Sequence, residues 1–81
     1  MKINLKLGRS GMNMEEAVIA KWHRKAGEAF KKGDVLYEVE NEKSVEEIEA
    51  TSDGVLLEIH VPEGGEAKVG QVLCSVNLEK L

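Results

Sequence analysis

Residues 34–50 read Asp-Val-Leu-Tyr-Glu-Val-Glu-Asn-Glu-Lys-Ser-Val-Glu-Glu-Ile-Glu-Ala. Before the polar centre, Val35, Tyr37 and Val39 share one parity, with Asp34, Glu38 and Glu40 on the other. After it, Ile48 and Ala50 share a parity, with Glu47 and Glu49 opposite. Period-2 patterning on both sides of a short charged break predicts a β-hairpin whose tip is Glu-Asn-Glu-Lys-Ser, 40–44. Glu42-Lys43 suits a type I′ turn poorly, because that turn wants residues such as Asn-Gly with positive φ. A type I turn with Lys43 at a central position is expected instead. A lysine so placed is held away from the protein body on a rigid support, which suits a covalent attachment point.

The segments flanking this hairpin repeat. Residues 17–39 align without gaps to residues 54–76 at an offset of 37. Val18 meets Val55, His23 meets His60, Gly27 meets Gly64, Lys31 meets Lys68 and Gly33 meets Gly70; Val35, Leu36 and Val39 meet Val72, Leu73 and Val76. Two glycines six apart, followed by the same apolar spacing, point to a duplication rather than to chance likeness between β-rich segments. Two copies are too few for a solenoid, but they suffice for one closed, pseudo-twofold domain in which each unit buries the other's apolar face. Lys43 falls between the units and has no counterpart inside either.

Glycines at 8, 11, 27, 33, 54, 64, 65 and 70 cut the chain into pieces too short for stable helices and rich in alternating Val, Leu and Ile. The expected fold is therefore all-β: a flattened barrel or sandwich of two antiparallel sheets. Strands are predicted at 2–7, 16–23, 34–40, 45–50, 54–61 and 71–77. Turns are predicted at Asp53-Gly54 and Pro62-Glu63-Gly64-Gly65. The first and last strands are expected to close the end opposite the hairpin tip.

At 81 residues the chain has room for a single domain, 1–81. Such a chain buries only roughly 60–65% of its unfolded surface, so its stability margin is modest. With one each of Phe, Trp and Tyr, the core has to come from aliphatic residues, with Trp22 and Phe30 packing at least partly inside. The single Cys74 excludes an internal disulfide and a Cys-rich zinc site, and sharing the parity of Val72 and Val76 it is expected to be buried. His23 and His60 lack a third ligand and are expected to be structural rather than metal-binding.

Net charge is −4, yet residues 1–32 balance at +5 and residues 33–81 at −9. The acids concentrate at Glu38, Glu40, Glu42, Glu46, Glu47 and Glu49, around Lys43. That argues against nucleic acid as a partner. No apolar run approaches the ~20 residues of a membrane span. Neither a signal peptide nor a transit peptide is recognisable at the N-terminus. A soluble, reducing compartment is expected: the cytoplasm, or the mitochondrial matrix in a eukaryote.

Over essentially its whole length the chain resembles a lipoyl domain of the dihydrolipoamide acyltransferases of 2-oxo acid dehydrogenase complexes, within the biotinyl/lipoyl carrier family. The resemblance begins at Leu7-Gly8 and Met12-Asn13-Met14-Glu15-Glu16, with the loop lengthened by two residues within Arg9-Ser10-Gly11. It continues through Ile19, Trp22, Lys25, Gly27, Gly33-Asp34, Leu36 and Glu38-Val39-Glu40. Lys43 stands where the family has its modified lysine, and Gly54 follows eleven residues later. Where most lipoyl domains read Glu-Thr-Asp-Lys-Ala, this chain reads Glu40-Asn41-Glu42-Lys43-Ser44, as do some acetoin-dehydrogenase-type relatives at the Glu-Lys pair. Biotinyl domains carry Met on both sides of the lysine, so Glu42 and Ser44 disfavour biotin.

The resemblance implies a non-catalytic carrier in which lipoate is joined to Lys43 as an amide. It implies recognition by Glu40, Asn41, Glu42 and Ser44 at the tip, and by Gly8, Arg9 and Met12 in the adjoining loop. The implied partners are a thiamine-diphosphate-dependent dehydrogenase component, an acyltransferase catalytic domain, dihydrolipoamide dehydrogenase, and a lipoate ligase or octanoyltransferase. The domain itself is expected to be monomeric. The alternatives are a biotin carrier domain of a carboxylase, or an unmodified interaction domain of the same fold.

Overall fold

In a computed structural model, which describes residues 1–8, 15–41 and 44–78, every regular element is a strand. In chain order they are β1 (Lys2–Lys6), β2 (Glu16–Trp22), β3 (Ala29–Phe30), β4 (Val35–Glu40), β5 (Val45–Glu49), β6 (Gly54–Ile59), β7 (Glu66–Lys68) and β8 (Val72–Leu78). They form two antiparallel four-stranded sheets, β1-β8-β6-β3 and β5-β4-β2-β7. The six predicted strands are present with ends shifted by one or two residues. β3 and β7 are additional: two and three residues long, they are too short to carry a legible alternation.

The repeat accounts for the topology. Replacing β1 by β5, β2 by β6, β3 by β7 and β4 by β8 turns one sheet order into the other. The hydrogen bonds obey the same exchange. Gly27 N–H donates to Leu56 C=O at 2.7 Å, and Gly64 N–H donates to Ile19 C=O at 2.7 Å. Each unit thus sends its first glycine turn across to the other unit's strand. The repeated glycines, 27 with 64 and 33 with 70, all have φ between 85° and 93°. That left-handed region is the one glycine enters without a Cβ penalty.

Strict alternation does not survive, and the reason is also symmetric. β4 carries a bulge between Val35 and Tyr37, and β8 skips from Val72 to Cys74 against β1. The extra residues are Leu36 and Leu73, whose carbonyls accept from His23 N–H and His60 N–H, both at 2.8 Å. A bulge lets two successive side chains turn inward. Leu36 and Tyr37, like Leu73 and Cys74, are all buried, whereas Val35 and Val72 are only half-buried. The shared parity expected of Val35 with Tyr37, and of Val72 with Cys74, is corrected accordingly.

The core is built from symmetry mates. Ile19 and Leu56, Leu36 and Leu73, Tyr37 and Cys74, and Val39 and Val76 are all buried. Each large aliphatic side chain removed from water contributes about 1.5–3 kcal/mol. Phe30 is buried, while Trp22 is half-buried, tilts against Tyr37 and donates its indole N–H to Val61 C=O at 2.9 Å. Burial raises the Cys74 thiol pKa to about 11 and that of Tyr37 to about 12. Cys74 is therefore a small hydrophobe.

Gly54 is the first residue of β6 rather than part of a turn. It pairs with Phe30, whereas its mate Ala17 pairs with Ala67. The large ring opposite leaves no room for a methyl group: a Cβ on Gly54 would sit 2.6 Å from Asn77 C=O and 3.0 Å from the Phe30 ring. Gly54→Ala is expected to destabilise the fold by about 1–3 kcal/mol, read as a lowered urea midpoint at unchanged m-value.

The turn before β4 rests on Asp34, whose carboxylate accepts from Lys31 N–H at 2.9 Å and from Arg24 Nη2 at 3.0 Å. The Lys31 backbone bond, with Arg24 beside it, lowers the Asp34 pKa below its ordinary value. In the second unit Gln71 takes the same place, accepting from Lys68 N–H at 3.0 Å without a titrating group. A depressed folded pKa contributes stability above the unfolded pKa and loses it as pH falls through the folded one. Asp34→Asn is therefore expected to keep the turn and lower the thermal midpoint slightly at pH 7. The difference from the wild type should shrink as pH falls below about 4 and be lost once pH passes the depressed folded pKa.

Candidate functional site

The β4–β5 hairpin forms as the alternation predicts, with Glu40 paired to Val45 as its last ladder pair. Beyond that pair, Asn41 N–H donates to Ser44 C=O at 3.0 Å, and Ser44 N–H donates to Asn41 Oδ1 at 3.0 Å. Glu40 and Ser44 are exposed and Asn41 is half-buried. Lys43 and Glu42 lie outside the described residues, as do Arg9 and Met12, so the type I turn expected at 42–43 falls there too.

The strand register places the roots of the 9–14 segment, Gly8 and Glu15, at the same end of the molecule as the hairpin connection. Val18 pairs with Glu40, so Glu16, two residues back along β2, stands level with the 41–44 connection. Glu16 in turn pairs with Lys68. Just beyond it, Val69 N–H donates to Glu15 C=O at 2.9 Å, and Gly70 N–H donates to Leu7 C=O at 2.9 Å. Leu7 N–H donates to Gln71 C=O at 3.0 Å. Both roots of the 9–14 segment, the exposed Gly8 on one side and Glu15 on the other, are thereby held beside the hairpin connection.

At the far end, Leu78 pairs with Gly54, and Gly33 N–H bonds Ala50 C=O at the start of β4. The free ends of β1 and β8 lie there, opposite the hairpin connection.

The outer face of β4 and β5 is acidic. Glu38 stands directly opposite Glu47, and Glu40 and Glu49 continue the face. Lys21 on β2 lies across from Glu38, which also accepts from His23 Nε2 at 2.5 Å. The symmetry mate of that contact is His60 Nε2 with Ser75 Oγ at 3.0 Å; Ser75 in turn donates to Asn4 Oδ1 at 2.8 Å. Both histidines therefore have cross-strand partners on the outer faces. Among the described residues no three His, Cys, Asp or Glu side chains gather as metal ligands.

One feature of the site was not read from the sequence, the closure of the hairpin through the Asn41 side chain. Asparagine two residues before the predicted turn lysine was the available signal, since its side chain caps nearby backbone N–H groups.

Comparison with known proteins agrees with this geometry. The family model described as biotin-requiring enzyme, covering biotin and lipoyl attachment, matches residues 3–76. The dihydrolipoyllysine-residue acetyltransferase component of the pyruvate dehydrogenase complex of Zymomonas mobilis is 42% identical over 74 residues, 90% of this chain and 17% of that protein. Its Staphylococcus aureus counterpart is 39% identical over 77 residues, 95% of this chain and 18% of that protein. The chain thus spans under a fifth of the length of these relatives. The solution structure of the lipoyl domain of the 2-oxoglutarate dehydrogenase complex from Azotobacter vinelandii superposes with a TM-score of 0.81 at 32% identity, covering 93% of this chain and 95% of that one. An all-strand fold of two four-stranded sheets, a family match over nearly the whole chain and this superposition together establish that the chain belongs to the biotin/lipoyl attachment family and is a lipoyl domain, a carrier module rather than a catalyst.

Proposed function

We propose that Lys43 carries lipoate in amide linkage and that residues 1–81 act as one carrier domain, presenting that group to the enzymes of a 2-oxo acid or acetoin dehydrogenase complex. The observation that carries this reading is the position of the lysine in the sequence, between Asn41 and Ser44, which are hydrogen-bonded to each other just beyond the last ladder pair of the β4–β5 hairpin. An attachment point visited by several enzymes needs access rather than a pocket. The surroundings fit that need: Glu40 and Ser44 are exposed, and Val45 is 51% exposed.

Lipoate bound there supplies a dithiolane able to take up an acyl group together with two electrons. The chain's own contribution is position and recognition. Glu40, Asn41, Glu42 and Ser44 at the connection, with Gly8, Arg9 and Met12 at the neighbouring loop, are the proposed recognition residues. The proposed partners are the thiamine-diphosphate-dependent component, the acyltransferase catalytic domain, dihydrolipoamide dehydrogenase, and the lipoate ligase or octanoyltransferase that installs the group. The names of the acetyltransferase relatives support a dehydrogenase complex as the setting.

Intact-mass measurement after incubation with lipoate, ATP and a lipoate ligase tests the assignment. The expected result is one lipoyl addition to the wild-type domain and none to Lys43→Ala. An addition that persists in Lys43→Ala refutes the site. A shift obtained only with biotin and its ligase refutes the cofactor.

A further inference from the structure

We propose that Asn41 is a positioning residue for the modification of Lys43: its side-chain amide oxygen, bound to Ser44 N–H, fixes the base from which the lysine is offered to the modifying enzyme. The inference rests on the attachment site proposed above and concerns a residue of the connection that does not itself react.

The pseudo-twofold supplies an internal comparison. Asn41 and Ser44 correspond to Leu78 and Met1, because β4 maps onto β8 and β5 onto β1. At that counterpart, Leu78 N–H donates to Met1 C=O at 2.8 Å, and the Met1 nitrogen donates to Leu78 C=O at 2.9 Å. The pair closes in both directions, through the Met1 carbonyl and the Met1 terminal ammonium, which also donates to Asn77 Oδ1 at 2.8 Å. In the hairpin the first bond is retained, from Asn41 N–H to Ser44 C=O at 3.0 Å. Ser44 N–H is held by the Asn41 side chain, whose Oδ1 accepts it at 3.0 Å.

Chemistry explains the use of a side-chain acceptor here. A two-residue hairpin connection closed by two backbone bonds favours primed turns, which need positive φ at a central position. Glu42 and Lys43 are poorly suited to that, and glycine is not available where a lysine has to stand. A short polar side chain at the first turn position accepts the closing N–H from a different direction and removes that requirement. The modification itself needs a fixed approach. In ligase chemistry the Lys43 amine attacks the carbonyl carbon of lipoyl-adenylate; a C–N bond forms, the bond from that carbon to the phosphate oxygen breaks, AMP leaves, and the amine gives up a proton. A nucleophile on a loosened base populates the attack geometry less often, which lowers turnover more than binding.

The test compares wild-type, Asn41→Ala and Asn41→Asp domains as substrates of a lipoate ligase with ATP and lipoate. Modification is followed by intact mass at a temperature where thermal melts show all three folded, and Ser44 amide exchange is read in parallel. Asn41→Ala is expected to lower kcat/KM by about tenfold, mostly through kcat, and to speed Ser44 exchange. Asn41→Asp keeps the acceptor oxygen and is expected to restore both readouts to within about twofold of wild type. Modification of Asn41→Ala at the wild-type rate overturns the proposal while leaving the attachment site intact. Slow modification of Asn41→Asp with Ser44 still protected also overturns it, because the enzyme then reads the Asn41 amide directly. A wild-type domain that takes up no lipoyl group overturns the attachment site, and this inference with it.

Discussion

Neither half of this chain can form either four-stranded sheet on its own. The central strands β8 and β6 of one sheet come from the second unit, and its edge strands β1 and β3 come from the first; the other sheet reverses the arrangement. The reciprocal bonds from Gly27 to Leu56 and from Gly64 to Ile19 tie each turn to the opposite unit's strand. Burial of Ile19 and Leu56, the mates at the receiving ends of those bonds, is therefore inseparable from closure of the two turns. A unit of four short strands has too little apolar surface to fold alone, so all eight strands depend on this exchange.

The symmetry also shows where the molecule departs from it. The offset is 37 for β2–β4 against β6–β8, but 43 for β1 against β5, as Leu5 opposite Cys74 matches Ile48 opposite Tyr37. The difference is six residues, and it falls between Leu7 and Glu15. Loop-closure entropy rises slowly with length, so an insertion of this size between two strands costs the sheets little. Both roots of the lengthened segment sit beside the 41–44 connection, which itself links two strands that are separate at the far end. One end of an otherwise twofold body thus carries both departures.

Much of this was legible in the residues. The glycine register fixed the repeat, and the alternation around 34–50 fixed the hairpin on which Lys43 falls. Other features stayed hidden for physical reasons. Leu36 and Leu73 are bulge residues that turn inward out of phase, so parity misplaced Val35 and Val72. Gly54 resembled a turn residue because Asp53 precedes it, yet its lack of a side chain accommodates Phe30 and the Asn77 carbonyl. The correspondence of β1 with β5 was concealed by the six-residue change of offset; a gapped comparison aligning Leu5 with Ile48 and Leu7 with Ala50 would have exposed it. The Asn41 closure is a side-chain bond, which no periodicity records.

A duplicated backbone with unlike surfaces separates what folds the domain from what distinguishes its ends. Most interior positions keep apolar residues on both sides of the twofold, because each fills the same shared core; Val61, whose mate is Arg24, is an exception. Outer-face mates diverge: Glu38 and Glu40 correspond to Ser75 and Asn77, and Glu47 and Glu49 correspond to Asn4 and Lys6. Placing Glu38 opposite Glu47 costs a few tenths of a kcal/mol to about 1 kcal/mol in a solvated ladder, which the common core can absorb. The Ser75 side of the same framework has no such repulsion, so the acidic face is not a requirement of the fold. Its sequence is free to answer to whatever approaches the hairpin end, and the geometry of that end is held by Asn41 and Ser44 beneath it.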